Sequence, residues 1–205
     1  MLNKLKYDFE LVGDFPNKIL VAIHGWQGNC NSMKPLLRSL NMDNIGWYFL
    51  EAPYPVNGAL DKFSWSYEIE EGIWEENEPR LLLTNFFDYL FNKYVSTDIF
   101  VMGFSQGGLI CLDFILHLSQ PLGGIFSIAG FSRYPKKEMS RFHKCQKNTP
   151  ILLAHGKDDE QVPVSASMNI HGQLISQGAN AELLVYNGKH KIGIECLRKI
   201  KKIIQ

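Results

Sequence analysis

Cysteine is scarce and scattered in this sequence of 205 residues. The four cysteines are Cys30, Cys111, Cys145 and Cys196, and no two of them have CxxC spacing. This pattern argues against a zinc site and against a dense disulfide framework. The simpler interpretation is that the four cysteines are reduced thiols, which favours a cytoplasmic location.

The sequence also lacks an excess of charge of either sign and any long apolar run. Lys and Arg together number 21, as do Asp and Glu, so we expect no nucleic-acid partner and no attraction to an acidic membrane surface. No apolar run approaches the roughly 18 residues of a membrane span, and charges interrupt the first ten residues. We therefore expect no stable membrane insertion and a small neutral or amphiphilic substrate.

Motifs that hold cofactors are missing as well. We find no HExxH, no GxxxxGK and no GxGxxG pattern. The sequence therefore predicts no metal site and no organic cofactor.

Short apolar, β-branched or aromatic runs alternate with longer helical patterns along the chain. This alternation predicts one α/β domain over residues 1–205, with a mostly parallel sheet of about seven strands and helices on both faces. The predicted strands are residues 6–11, 18–23, 47–51, 98–102, 124–129, 151–154 and 182–186. The predicted helices are residues 32–40, 80–94, 105–118, 165–177 and 192–203.

Two long connections depart from this alternation. Residues 53–79 carry Trp65, Tyr67 and Trp74 among turn residues, together with six glutamates, and residues 131–148 carry six Lys or Arg residues. Loops after parallel strands form ligand-binding walls in such folds, although each charged stretch can equally be a solvated face.

The stretch from Gly103 to Gly107 reads as a nucleophile elbow. It has the G-x-S-x-G pattern, with Ser105 at its centre, a predicted strand before it and a predicted helix after it. Glycine on both sides allows the tight turn that exposes a serine hydroxyl. Ser105 is therefore the candidate nucleophile, against the alternative of a serine helix cap in a glycine-rich turn.

A serine nucleophile requires a base, and His190 is the best placed of six histidines. It follows the last predicted strand through a glycine-containing loop, which can hold an imidazole over the edge of the sheet. His24 and His155 each end a strand but have little room to reach Ser105. The others lie in helices or in the basic connection.

The remaining parts of a serine-hydrolase site also have candidates. Asp158, Asp159 and Glu160 follow a predicted strand, and the chemistry alone does not choose between them. For the oxyanion hole, the backbone N–H of Gln106 directly follows the nucleophile, and that of Trp26 lies in the loop after the second predicted strand. The order Ser, Asp, His is the order expected on a doubly wound sheet.

Several of these motifs together resemble the carboxylesterase, lysophospholipase and acyl-protein thioesterase family of small α/β-hydrolases. They are His24-Gly25, the G-F-S-Q-G-G elbow, the run H-G-x-x-D-x-x-V-P from His155, and Gly188-x-His190. The resemblance implies an α/β-hydrolase fold and places the triad acid at Asp159. It also implies a substrate-facing role for Trp26 and Trp65, in segments where this chain departs from the usual family residues.

The predicted function is a serine hydrolase that cleaves carboxylic esters or thioesters through an acyl-enzyme. Its catalytic residues would be Ser105, Asp159 and His190, and its substrate a small-molecule ester or acyl thioester. One alternative is a long-chain acyl-protein thioesterase or lysophospholipase, and another is a non-catalytic binding protein on the same scaffold. The sequence leaves monomer and homodimer equally open.

Overall fold

In the computed structural model, which describes residues 4–133 and 142–205, one mixed sheet runs through the molecule. Within these residues it has seven strands, in the order β1, β3, β2, β8, β9, β10, β11. These are β1 (Tyr7–Val12), β2 (Lys18–Ile23), β3 (Ile45–Leu50), β8 (Ile99–Phe104), β9 (Gly124–Ile128), β10 (Ile151–Gly156) and β11 (Ala181–Tyr186). Among the strand pairs of this sheet in the described residues, only β1–β3 is antiparallel. The predicted α/β-hydrolase architecture is confirmed.

Both faces of the central strands are buried, because apolar residues run continuously along them. In β2, Ile19 and Val21 pack on one face, and Leu20 and Ala22 pack on the other. The first face is covered by α2 (Asn77–Lys93), α3 (Gln106–Asp113) and α4 (Ser165–Ser176). The second face is covered by α1 (Pro35–Leu40) and α5 (Ile194–Ile204).

The acidic connection between β3 and α2 contains two short hairpins. The first pairs β4 (Tyr54–Pro55) with β5 (Phe63–Ser64), and the second pairs β6 (Tyr67–Glu70) with β7 (Ile73–Glu75). Of the basic connection, residues 134–141 lie outside the described part of the chain. No helix in that part is long and apolar enough to cross a membrane.

Strand order reverses between β2 and β8. The chain adds β3 on one side of β2 and later adds β8, β9, β10 and β11 on the other side. The loops after β2 and β8 therefore diverge at the carboxyl edge of the sheet, where doubly wound folds form a crevice. Trp26 follows β2 and Ser105 follows β8, so both lie at this crevice.

Candidate active site

Ser105 lies on the sharp turn between β8 and α3. Its φ and ψ are 54° and −113°, a conformation that costs a non-glycine residue about 1–3 kcal/mol. The flanking glycines permit this turn: a Cβ on Gly103 would strike the carbonyl of Gly107, and one on Gly107 would strike the carbonyl of Ile23. The Ser105 N–H is anchored on the Ile128 carbonyl at 2.8 Å.

His190 contacts both Ser105 and Asp159. Its Nε2 lies 3.0 Å from Ser105 Oγ, and its Nδ1 lies 2.7 Å from Asp159 Oδ2. A carboxylate can only accept, so Nδ1 carries the proton and Nε2 is free to accept the serine hydroxyl proton. The ring also packs on Phe104, with centroids 4.9 Å apart.

Asp159 is a charged carboxylate inside the protein. Its side chain is wholly buried, which by itself would raise its pKa. Hydrogen bonds from the Val162 N–H, from His190 and from the Gln161 N–H outweigh burial and lower the pKa below its usual value. The carboxylate is therefore available to orient the imidazole and to stabilise an imidazolium.

The loop after β2 lies directly against the serine. A Cβ on Gly25 would be 3.3 Å from Ser105 Cβ, so this loop runs close past Ser105 and continues into Trp26. Gln106 is the first residue of α3, and its N–H is one of the N-terminal groups for which a helix has no partner of its own. The two predicted oxyanion donors thus belong to backbone segments on either side of Ser105.

His24 holds the loop after β2 in place. Its Nδ1 donates to the Gly25 carbonyl at 2.7 Å, and its Nε2 accepts the Ala52 N–H at 3.1 Å. Burial lowers the pKa of His24 to about 4, so the ring is neutral at neutral pH and can serve as donor and acceptor together. Both ring nitrogens are therefore occupied by backbone hydrogen bonds, and neither is left to accept a proton from Ser105.

The Gln106 side chain ties the elbow to the first hairpin, a link that the sequence analysis missed. Its amide nitrogen donates to Ser64 Oγ at 2.9 Å and to Ser66 Oγ at 3.1 Å, and its amide oxygen accepts the Trp65 N–H at 3.1 Å. These contacts are made between residues some 40 positions apart, so no local pattern could reveal them.

The predicted substrate contact at Trp65 is wrong. The Trp65 side chain is fully buried, packs in the core, and donates its indole N–H to the His24 carbonyl at 3.0 Å. It supports the loop after β2 from behind, out of reach of a ligand in the cleft. Trp26, by contrast, is 60% exposed and lines the cleft beside Ser105.

A cleft of about 660 Å³ opens above Ser105. Its walls come from the loop after β2, both hairpins, the elbow and the start of the basic connection. They comprise Trp26, Tyr54, Pro55, Val56, Asn57, Ser64, Ser66, Tyr67, Glu68, Trp74, Ser105, Gln106, Phe131 and Arg133.

Two residues of the cleft wall, Arg133 and Trp74, contact each other, which the sequence analysis also missed. The guanidinium carbon lies 3.8 Å from the centre of the Trp74 ring, and Nη1 donates to Glu76 Oε1 at 2.7 Å. Trp74 belongs to the second hairpin and Glu76 precedes α2. Arg133 therefore fastens the second hairpin beside the cleft.

The site contains no evident metal centre in the residues that the structure describes. Across 4–133 and 142–205, no three His, Cys, Asp or Glu side chains are grouped so that they could hold an ion.

The chain has clear relatives in sequence and structure. A model of the phospholipase/carboxylesterase family matches residues 15–205. Carboxylesterase SOBER1 of Arabidopsis thaliana is 27% identical over 91% of this chain and 89% of that protein. Acyl-protein thioesterase 1 of Kluyveromyces lactis is 32% identical, over 33% of this chain and 30% of its own.

Solved structures show the same fold. The crystal structure of Arabidopsis SOBER1 has a TM-score of 0.78 and 25% identity, covering 91% of this chain and 97% of that one. Acyl-protein thioesterase 2 of Zea mays has a TM-score of 0.74 and 22% identity, covering 96% of each chain. With the family model covering nearly its whole length, this chain belongs to the phospholipase/carboxylesterase family of α/β-hydrolases.

Proposed function

We propose that the protein is a serine hydrolase that cleaves carboxylic esters of small molecules through an acyl-enzyme. The observation that carries this proposal is the chain of contacts from Ser105 Oγ through His190 to Asp159, at 3.0 and 2.7 Å. It lies at the crevice of the sheet and opens into the cleft. The family and its esterase relatives support the same reaction class.

In the first half-reaction, Ser105 Oγ attacks the acyl carbonyl while its proton passes to His190 Nε2. The carbonyl oxygen becomes an oxyanion, which the N–H groups of Trp26 and Gln106 would stabilise. The carbon–oxygen bond to the alcohol then breaks. The alcohol leaves with the proton from His190, and the acyl group stays on Ser105.

In the second half-reaction, water replaces the alcohol. His190 takes a proton from the water, whose oxygen attacks the acyl carbonyl. The bond to Ser105 Oγ breaks, the serine regains its proton from His190, and the carboxylic acid departs. Asp159 keeps Nδ1 protonated throughout and stabilises the imidazolium that forms in each half-reaction.

A thioester would react by the same steps, with a thiol as the leaving group. The acyl-protein thioesterases among the sequence relatives keep this alternative open, together with a long acyl chain. The third possibility is a non-catalytic binding protein. The close approach of His190 to Ser105 weighs against it, since a binding site does not require an activated hydroxyl.

A fluorophosphonate probe tests the proposal directly. An activated serine displaces fluoride from the probe, so we expect labelling of folded protein at Ser105, located by peptide mass spectrometry. Ser105→Ala should abolish labelling and lower the kcat for p-nitrophenyl acetate by at least about 10³-fold. The matched control, Ser39→Ala on the exposed side of α1, should change neither.

Circular dichroism of both variants checks that the fold is intact. Folded wild-type protein that takes no label at Ser105, or a Ser105→Ala variant with wild-type turnover, would show that the proposed function is wrong.

A further inference from the structure

His155 is a second histidine beside the triad acid. It lies near the end of β10, and its side chain is fully buried. Its Nδ1 lies 2.7 Å from Ser167 Oγ on α4, and its Nε2 lies 2.9 Å from the Val162 carbonyl oxygen. The same Nε2 is 3.3 Å from Asp159 Oδ2, the oxygen that His190 contacts.

These neighbours determine where the His155 proton sits. The Val162 carbonyl and the Asp159 carboxylate are both acceptors, so Nε2 must carry a proton, because a lone pair there would face two oxygens. Nδ1 is then free to accept the Ser167 hydroxyl proton. The Nε2–H is thus directed at the loop that carries Asp159, while Ser167 on α4 holds the other nitrogen of the ring.

Val162 connects this histidine to the carboxylate. Its carbonyl accepts from His155, and its N–H donates to Asp159 Oδ1 at 2.9 Å. The Gln161 N–H donates to the same oxygen at 2.9 Å. Asp159 therefore has two backbone donors on Oδ1, while Oδ2 faces His190 on one side and His155 on the other.

We propose that His155 is a positioning residue for the proposed hydrolysis: its Nε2–H fixes the loop from Asp159 to Val162 and keeps Oδ2 directed at His190. The inference rests on the proposed function. Without this donor, the Val162 carbonyl loses its partner, Oδ2 loses one of its two histidine neighbours, and the carboxylate can rotate more freely about its Cβ–Cγ bond. His190 would then be held less well in the orientation that accepts the serine proton.

Two substitutions at the same position separate positioning from packing. In His155→Gln the amide nitrogen reaches about as far as Nε2 and can still donate to Val162. In His155→Asn the shorter amide reaches Ser167 but not Val162. Both replace the ring with a polar amide, so they differ mainly in the hydrogen bond under test.

We expect His155→Asn to lower kcat by about 10- to 100-fold, the range found when residues that orient the ligands of a metal site are lost. The KM should stay within about twofold, because His155 does not line the cleft. His155→Gln should recover kcat to within about fivefold of wild type. The rate of fluorophosphonate labelling should follow kcat in all three proteins.

Ser167→Ala is the second variant, and it keeps the proposal testable if His155→Asn does not fold. It removes one hydroxyl and loosens the ring without removing its Nε2–H, so we expect about a three- to tenfold lower kcat with unchanged KM. Thermal melts establish that each variant is folded at the assay temperature.

Wild-type kcat in folded His155→Asn, or in Ser167→Ala if the first does not fold, would overturn the proposal. Equal losses in His155→Asn and His155→Gln would also overturn it, since packing alone would then explain them. The proposed function predicts fluorophosphonate labelling of wild-type Ser105 whether or not His155 is a positioning residue. If wild-type Ser105 is labelled but the variants give one of these overturning results, the positioning role alone is wrong.

Discussion

At the scale of single residues, the geometry distinguishes acids that the sequence presents side by side. Asp158, Asp159 and Glu160 are consecutive, and only the family resemblance favoured the middle one. In the structure Asp159 turns inward and contacts His190, whereas Asp158 is exposed and Glu160 pairs with Lys189 at 3.0 Å. The conformation of the turn after β10 determines which of the three acids faces His190. Residue types alone do not predict that conformation.

We expect Asp159→Asn to lower kcat by about 10³- to 10⁴-fold. An amide at this position can donate toward Nδ1, which favours the imidazole tautomer that cannot accept the serine proton. Asp158→Asn, the matched neighbour, should stay within about twofold of wild type. Steady-state kinetics with p-nitrophenyl acetate measures both, and equal losses would show that Asp159 is not the orienting acid.

The other candidate residues show what the sequence could and could not predict. Ser105 and His190 were predicted because an elbow pattern and a late glycine-containing loop are local features. The sequence analysis assigned Trp65 to the cleft because a tryptophan fits either a core or a cleft. Its buried position follows from the packing of the segment after β5 against His24, which is a tertiary contact.

At the scale of elements, the strands were predicted well and the helix ends less so. Strand β2 has the predicted bounds, because a continuous apolar run marks a buried strand clearly. The helix predicted for residues 105–118 instead ends at Asp113, and a 3₁₀ turn covers Ile115–His117. Helix α2 begins at Asn77 and not at residue 80, since a proline in the first turn loses no helical hydrogen bond.

The two hairpins escaped prediction because their strands are only two to four residues long. Tertiary contacts stabilise them, including the Gln106 clamp on Ser64 and Ser66 and the Arg133 stack on Trp74. With Trp26, they give the cleft aromatic walls close to Ser105.

These walls predict a preference for short acyl groups. We expect kcat/KM for p-nitrophenyl esters to fall more than about tenfold from butyrate to octanoate, because the Trp26 ring lines the cleft beside Ser105 and would obstruct a longer acyl chain. Trp26→Ala should reduce that fall, and it leaves the proposed oxyanion donor intact, since the donor is a backbone N–H. A rise in kcat/KM through octanoate in the wild type would instead favour the long-chain thioesterase or lysophospholipase alternative.

At the scale of the whole molecule, stability depends on a buried acid outside the proposed triad. Asp113, at the end of α3, is 8% exposed, and its Oδ2 has no hydrogen-bond partner in the part of the chain that is described. Burial, with the nearby negative charge of Glu76, raises the pKa of Asp113 to about 7. The folded protein therefore keeps a proton on Asp113 at mildly acidic pH, where the unfolded chain releases it.

The sign of the pH dependence follows from this difference. The unfolded-state pKa is about 4, so the contribution of protonated Asp113 to folding is complete below that pH and is lost as pH rises to about 7. Asp113→Asn does not titrate. The difference in free energy of unfolding, Asp113→Asn minus wild type, should therefore be more positive at pH 8 than at pH 5 by on the order of 2 kcal/mol.

Urea unfolding at the two pH values measures this gain. Asp158→Asn, an exposed substitution of the same type, should show none of it. If this difference in free energy of unfolding were the same at pH 5 and pH 8, Asp113 would be charged in the folded protein at both pH values.

The location of the protein in the cell stays a prediction from its cysteines. All four are free thiols, and burial raises the pKa of Cys30 to about 11 and of Cys196 to about 12. Thiols with pKa values this high are poor nucleophiles at neutral pH, so Cys30 and Cys196 should react slowly with alkylating reagents in the folded protein.

The backbone at Ser105 sets folding and chemistry against each other. Glycine would adopt that positive φ with little strain, so a sequence chosen for stability alone would have no side chain at position 105. The cost of the serine, about 1–3 kcal/mol, is a sizeable part of the net stability of an ordinary domain. A Ser105→Gly variant should therefore be more stable than the wild type, and under the proposed function the demand that keeps a serine at this position is turnover.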